Sequence, residues 1–247
     1  MTRPFYAAFA GTTYLIFLLT FLYLVAFLAP LPLVPHHVDQ GGWSGEPALA
    51  FMVDTLLVML FSCQHSIMAR PGFKRMWTRI VPQPIERSVY VLCASGALIL
   101  LFTLWQPLPM AVWSVESMAG QAILWSLFGL GWAVVLLSTF LISHFELFGL
   151  KQVWQHMRNR PADAVQLRQP FLYKLVRHPL YLGFFIAFWA TPEMTVGHLL
   201  FALEMSIFML VAIQFEERDL IEVFGDAYRR YRRSTGMLLP GVGRSRS

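Results

Sequence analysis

Charge is scarce in this chain. Of its 247 residues only 13% are Asp, Glu, Lys or Arg, while 57% are hydrophobic, so the charged share is about half that of a soluble domain. So few polar groups could not cover a water-facing surface, which excludes a disordered, collagenous or water-soluble nucleic-acid-binding chain. Cysteine is almost absent too. Cys63 and Cys93 are the only two, and both lie inside apolar runs, which excludes a disulfide framework. No His-x-x-x-His or Cys-x-x-Cys spacing occurs, so no metal is expected. The inverted internal repeat that would mark a secondary transporter is also missing. What is present is an excess of apolar and aromatic residues, with a mean hydropathy of +0.56. The fold class this implies is all-α, a polytopic integral membrane protein.

A bilayer core of about 30 Å takes about 20 apolar residues of helix. Four runs of that kind are plain: Phe5 to Ala29, Ala48 to Ala69, Ser88 to Trp105 and Ala119 to Ser143. The first ends at Pro30, Pro32 and Pro35 without a small-residue cleavage site and is read as a retained helix. A fifth apolar region follows Arg177-His178-Pro179 and is broken at Thr191-Pro192-Glu193. It predicts a C-terminal helical hairpin, a short limb over 180–191 and a full one over Val196 to Phe215. Five to six transmembrane helices result. Of the 19 Lys and Arg residues, 18 fall in Arg70 to Arg87, Lys151 to Arg177 and Arg218 to Arg246. The positive-inside rule makes these segments cytoplasmic, together with both termini. The +5 net charge is thereby explained by anionic lipid, with no nucleic-acid partner.

We therefore expect a single membrane domain over 1–247. It comprises a four-helix part (1–145), a connector (146–176), the hairpin with a juxtamembrane helix (177–233), and a tail (234–247) whose Gly, Ser and Arg stretch from Leu239 to Ser247 is expected to be mobile. The run from Leu220 to Arg233 places Leu220, Val223, Phe224, Ala227, Tyr228 and Tyr231 on one stripe, which predicts an amphipathic cytoplasmic helix.

Ionisable residues inside the spans are site candidates because they are costly there. They are Asp54, His65, His144, Glu146, His198 and Glu204. The densest polar cluster lies where the two hairpin limbs begin and end. Arg177-His178-Pro179-Leu180-Tyr181-Leu182-Gly183 opens the first, and Phe215-Glu216-Glu217-Arg218 closes the second. Pro179 suits a first helical turn, whose free N–H groups can face a carboxylate or phosphate. Gly183 permits close approach of a ligand or of another helix. Adjacent acids at a helix lip need cationic partners, from Arg177, Arg218 or a ligand.

These two ends resemble the cofactor signature of the isoprenylcysteine carboxyl methyltransferase-like membrane methyltransferases, through Arg177-His178-Pro179-x-Tyr181-x-Gly183 and then Glu216-Glu217, Phe224-Gly225, Tyr228 and Tyr231. Across nearly the whole chain, Gln64-His65-Ser66, Met68 to Pro71, Glu86-Arg87-Ser88-x-Tyr90 and Ser138-Thr139-Phe140 are similar to the bacterial methanethiol S-methyltransferases. The resemblance implies methyl transfer from S-adenosylmethionine to a small volatile thiol, giving dimethyl sulfide and S-adenosylhomocysteine, in the bacterial inner membrane.

On that reading Arg177 and the amides after Pro179 hold the cofactor's carboxylate. Glu216 or Glu217 takes its ammonium. Tyr181, Phe215 and Tyr228 form its walls, with His178, Leu182 and Gly183 in the same signature. The acceptor must lose a proton. A neutral His65 or His144 would take it, and Arg87 or Tyr90 would stabilise the thiolate. Three other readings compete: an isoprenylcysteine carboxylate or phospholipid amine as acceptor, a nicotinamide-dependent reductase, and a non-enzymatic membrane assembly subunit.

Overall fold

A computed structural model describes residues 3–29, 31, 34–43, 45–164 and 166–243. The expected stop at Pro30 and Pro32, and the last tail residues from 244 on, lie outside the described residues. In chain order the elements are α1 (Arg3–Leu28), α2 (Pro47–Ala69), α3 (Pro71–Trp77), α4 (Gln83–Leu104), β1 (Ala111–Ser114), α5 (Met118–Ile142), α6 (His144–Leu147), α7 (Leu150–Met157), α8 (Leu172–Leu175), α9 (Pro179–Trp189), β2 (Glu193–Thr195), α10 (Val196–Phe224) and α11 (Asp226–Ser234). Five of these, α1, α2, α4, α5 and α10, are long and apolar enough to cross a membrane. The molecule is an integral membrane protein of mainly helical structure. At 11 residues α9 is about 16 Å long, well short of the roughly 30 Å hydrocarbon core.

Proline sets where several helices begin. Pro47, Pro71, Pro84 and Pro179 each occupy the first or second helical position, where the missing N–H costs nothing. Arg70, ahead of Pro71, is extended at φ −70°, ψ 142°; the proline ring disfavours helix there, so α2 ends before it. The helix expected from Ser88 starts five residues earlier, at Gln83. The longer surprise is α10. Expected to stop at Phe215, it continues to Phe224, past two acids whose partners are described below.

The chain divides into two compact units, with α6 and α10 contributing residues to both. The first takes 1–114, 145–163 and 193–205. Within it α4 packs on α1 and α2, and α7 lies against α1 and α4. An aromatic core joins Phe27 to Phe102, Trp105 and Phe201 at centroid separations of 5.1, 5.8 and 6.1 Å. β1 and β2 form a two-stranded antiparallel pair that pairs Ala111 with Thr195 and Ser114 with Glu193.

The second unit takes 115–144, 164–192 and 206–247. Its seam is the packing of α9 on α5. A Cβ added at Gly183 would stand 2.7 Å from Gly131 O, and one added at Gly131 would stand 2.6 Å from Ala187 N. Two glycines therefore bring the helices together backbone to backbone, the small-residue packing that apolar surroundings favour. The amphipathic run foreseen over Leu220 to Arg233 is not one helix. It breaks at Gly225, whose φ of 55° is a left-handed value that glycine adopts without penalty. The stretch before the break belongs to α10. The tail expected to be mobile is folded back as far as Gly243, with Met237 N donating to Val242 O at 2.8 Å.

Candidate active site

The start of α9 is held by the segment after α11. Arg177 N donates to Gly236 O (2.8 Å) and His178 N to Met237 O (3.2 Å), so Val176 and Gly236 form a parallel bridge. That pairing turns the Arg177 side chain inward to a buried carboxylate. Arg177 Nε donates to Glu217 Oε1 at 2.7 Å. Its Nη1 donates to the carbonyls of Arg232 and Thr235, and its Nη2 to Gly243 O at 3.2 Å. His178 Nε2 donates to the same Oε1 at 3.1 Å, and Arg232 Nε pairs with Oε2 at 2.9 Å. A buried charge persists only when paired and hydrogen-bonded, and here every guanidinium nitrogen of Arg177 is engaged by protein. This lock lets α10 run past Glu217.

Beside the lock lie several further groups from the same signature. Glu216 is half-buried and accepts from Tyr181 Oη at 3.1 Å. Tyr228 is buried, and its hydroxyl has no hydrogen-bond partner among the described residues. Burial pushes the Tyr228 and Tyr173 phenols well above their ordinary range, and the Tyr231 phenol up to about 12. All three therefore stay neutral, and Tyr231 donates to Tyr173 O. Past Pro179 the amides of Leu180 and Tyr181 form the first turn of α9, because the first intrahelical bond runs from Leu182 N to His178 O at 3.0 Å. Leu182 is half-buried, whereas Phe215 is exposed with the Arg218 guanidinium 5.7 Å from its ring centroid. Of the two uses open to Gly183, the structure fills one, contact with a helix.

His144 follows α5 by one residue and is buried. Its ring stacks on Phe140 at 4.2 Å with 3° between planes, and its Nδ1 lies 2.8 Å from Thr139 Oγ1. Burial lowers its pKa below the ordinary value, which keeps the imidazole neutral.

In the first unit His65, Tyr90 and Arg87 come together. Tyr90 Oη lies 2.9 Å from His65 Nε2, and the Arg87 guanidinium stands 4.9 Å from the Tyr90 ring centroid. Arg87 Nε donates to Leu147 O at 2.7 Å, and a Cβ at Gly149 would meet Ser88 Oγ at 2.6 Å. The histidine of helix two and the arginine and tyrosine of helix four thus form one cluster.

The other intramembrane candidates have local work. Asp54 accepts from Gln106 N at 2.8 Å, and Glu204 from Thr55 Oγ1 at 2.7 Å. Buried His198 donates its amide to Thr195 Oγ1 at 3.1 Å. Glu146, at the surface, pairs with Lys151 at 2.8 Å. Among the described residues no group of three or more His, Cys, Asp or Glu could hold a metal ion. Sequence reasoning passed over Arg232, Thr235 and Gly243. The last two act through backbone carbonyls, which leave no side-chain signature, and Arg232 was hidden in a run of arginines.

Residues 130–222 match the isoprenylcysteine carboxyl methyltransferase (ICMT) family, a span that holds α9, about half of α5 and almost all of α10. The chain is 54% identical over 213 residues to the methanethiol S-methyltransferase of Pseudomonas deceptionensis, covering 86% of this chain and 80% of that protein. It is 50% identical over 240 residues to the methanethiol S-methyltransferase of Mycobacterium tuberculosis, covering 97% and 98%. A third, from a Pseudomonas strain, is 52% identical and covers 92% of this chain and 86% of its own length. No solved structure matches. With half of all positions shared across almost its full length, the chain belongs to the methanethiol S-methyltransferase family of membrane methyltransferases.

Proposed function

We propose that this protein transfers the methyl group of S-adenosylmethionine to methanethiol at the cytoplasmic face of a bacterial inner membrane, giving dimethyl sulfide and S-adenosylhomocysteine. The observation that carries the reading is the division of labour between two adjacent acids. Glu217 is consumed by the Arg177 lock, whereas Glu216 is half-buried and held by Tyr181. A fixed carboxylate of that kind suits the ammonium of an amino acid. The first-turn amides of Leu180 and Tyr181 suit its carboxylate, since a helix N-terminus favours negative charge. Arg177, with all its nitrogens engaged, is left to hold the site's shape. The partnerless hydroxyl of buried Tyr228 fits a polar ligand atom, because such a group is costly unless something pairs with it.

S-adenosylmethionine supplies the electrophilic methyl when bound. The protein's part is alignment, exclusion of water and removal of the thiol proton. His65, beside Tyr90 and Arg87, and His144, beside Thr139, are the two imidazoles proposed for that proton. Their neighbours keep them in defined orientations. The basic segments at the helix ends support a cytoplasmic site through the positive-inside rule.

Headspace gas chromatography on the purified protein with S-adenosylmethionine and methanethiol tests the reaction. Dimethyl sulfide that requires both protein and donor is expected. No product, with S-adenosylhomocysteine still raising the melting temperature, would sink methanethiol as acceptor; no thermal shift at saturation would sink the methyl donor as well.

A further inference from the structure

We infer that Thr139 is a positioning residue that fixes the tautomer of His144 and so makes Nε2 of His144 the nitrogen that accepts the thiol proton. This deepens the methyltransferase reading and rests on it. The argument is a count of protons. Thr139 Oγ1 lies 2.7 Å from Leu136 O and 2.8 Å from His144 Nδ1. A hydroxyl has a single proton and two lone pairs. A carbonyl oxygen can only accept, so both contacts are hydrogen bonds at once only if the Thr139 proton goes to Leu136 O. The contact to the histidine is then a hydrogen bond only if Nδ1–H donates and Oγ1 accepts. A neutral imidazole carries one N–H, so with Nδ1 protonated the lone pair belongs to Nε2.

Two further features hold the ring in that state. The parallel stack on Phe140, 3° between planes, fixes its orientation. Burial of the side chain disfavours the imidazolium, so the resting form is the neutral base. Thr139, Phe140 and His144 belong to the same unit as the Arg177–Glu217 lock.

In the step itself the S–H bond breaks and its proton forms an N–H bond at His144 Nε2. The sulfur electron pair forms the new S–C bond. The C–S bond of the sulfonium donor breaks with its electrons returning to that sulfur, which leaves as a neutral thioether. The imidazolium then passes its proton to water. An acceptor that is already a thiolate in solution needs none of this help.

The test uses the full-length protein in detergent, with wild type, Thr139→Val, Thr139→Ser and His144→Gln. Nitrogen-15 spectra of histidine-labelled protein without donor, assigned by the loss of one signal in His144→Gln, should show His144 with Nδ1 protonated in wild type and Thr139→Ser. Thr139→Val should lose that preference. In activity assays Thr139→Val should lower kcat with methanethiol about 10- to 100-fold, part of the roughly 10²–10⁴ that a positioned base contributes. Thr139→Ser should stay close to wild type, and all variants should methylate an acidic aromatic thiol, ionised at the assay pH, nearly as well as wild type. Two results would overturn the inference: an Nε2-protonated His144 in wild type, or equal losses on the two thiols in Thr139→Val. Wild type inactive on both thiols would instead defeat the methyltransferase reading, while leaving the tautomer measurement to stand or fall by itself.

Discussion

Replacing Glu217 with Gln keeps the shape of the lock and removes its charge. Arg177 and Glu217 side chains are 2% and 5% exposed, so their pairing is not screened by water, and removal of one partner from such a pair costs about 3–5 kcal/mol. The carbonyls of Arg232, Thr235 and Gly243 still receive Arg177, and the new amide oxygen can accept from Nε, which places the cost near the lower end. Arg232, by contrast, is 32% exposed, and an ion pair in contact with solvent contributes about 0–1 kcal/mol. For a chain of this size each kcal/mol moves the melting temperature by roughly 2–4 °C. Glu217→Gln should therefore melt about 6–12 °C below wild type, and Arg232→Ala within about 4 °C of it, by the same conversion. Differential scanning fluorimetry in one detergent measures both. A Glu217→Gln protein as stable as wild type, or an Arg232→Ala protein that loses as much, would refute the assignment of Arg177–Glu217 as the energetic centre of the lock. Changing the pair together, to Arg177→Met with Glu217→Leu, should recover part of the loss, because no charge is then left buried alone.

Tyr231 links stability to alkaline pH. The folded protein keeps its phenol protonated to about 12, while the unfolded chain releases that proton near pH 10, so the stabilisation is whole below pH 10 and is lost as pH rises toward 12. The loss amounts to about 3 kcal/mol, and an alkaline melting series should show it in wild type and see it shrink in Tyr231→Phe. Gly183→Ala would set a methyl 2.7 Å from Gly131 O and 2.8 Å from Val135 N. Backbone atoms cannot rotate away, so α9 must shift from α5 at about 1–3 kcal/mol. At Gly129, where nothing lies within 4 Å, the same change should be neutral or stabilise by up to about 1 kcal/mol; equal melting shifts for the two variants would contradict this. Tyr228→Phe should raise the stability of the ligand-free protein by about 1–3 kcal/mol, the usual cost of a buried unpaired polar group, while reducing the thermal shift given by S-adenosylhomocysteine. A destabilised variant with an undiminished shift would place the hydroxyl elsewhere in the chemistry.

Much of this architecture is written in composition and periodicity, because a bilayer demands long apolar helices and little else. The helices that begin near Phe5, Ala48 and Ala119 lie within two residues of their expected starts. Boundaries drifted where the deciding partner is remote in sequence. The end of α10 could not be read at Phe215, since Glu216 and Glu217 look like a stop until Arg177 and Arg232 are seen beside the second of them. Gly225 was legible as a glycine but not as a break, because the apolar stripe on either side of it keeps its phase. The pair of β1 and β2 escaped for a different reason: strands of four and three residues carry no periodicity to detect. At the site, residue types were visible and assignments were not. Arg177 reads as an anion receptor in isolation, and only the carbonyls of Thr235 and Gly243 show that each of its nitrogens is already engaged.

The position of those carbonyls has a consequence for biogenesis. They lie C-terminal to every long apolar helix and are among the last of the described residues to leave the ribosome. During insertion Arg177 must wait, first for Glu217 and then for the segment that follows α11, so the lock closes only after α10 has been synthesised. A chain stopped between α11 and Gly243 would carry every membrane helix and every residue of the methyltransferase signature, yet its guanidinium would lack acceptors it needs for burial. Such a product should insert normally and then be cleared by quality-control proteases, so the quantity to follow in pulse-chase experiments is its half-life in the membrane.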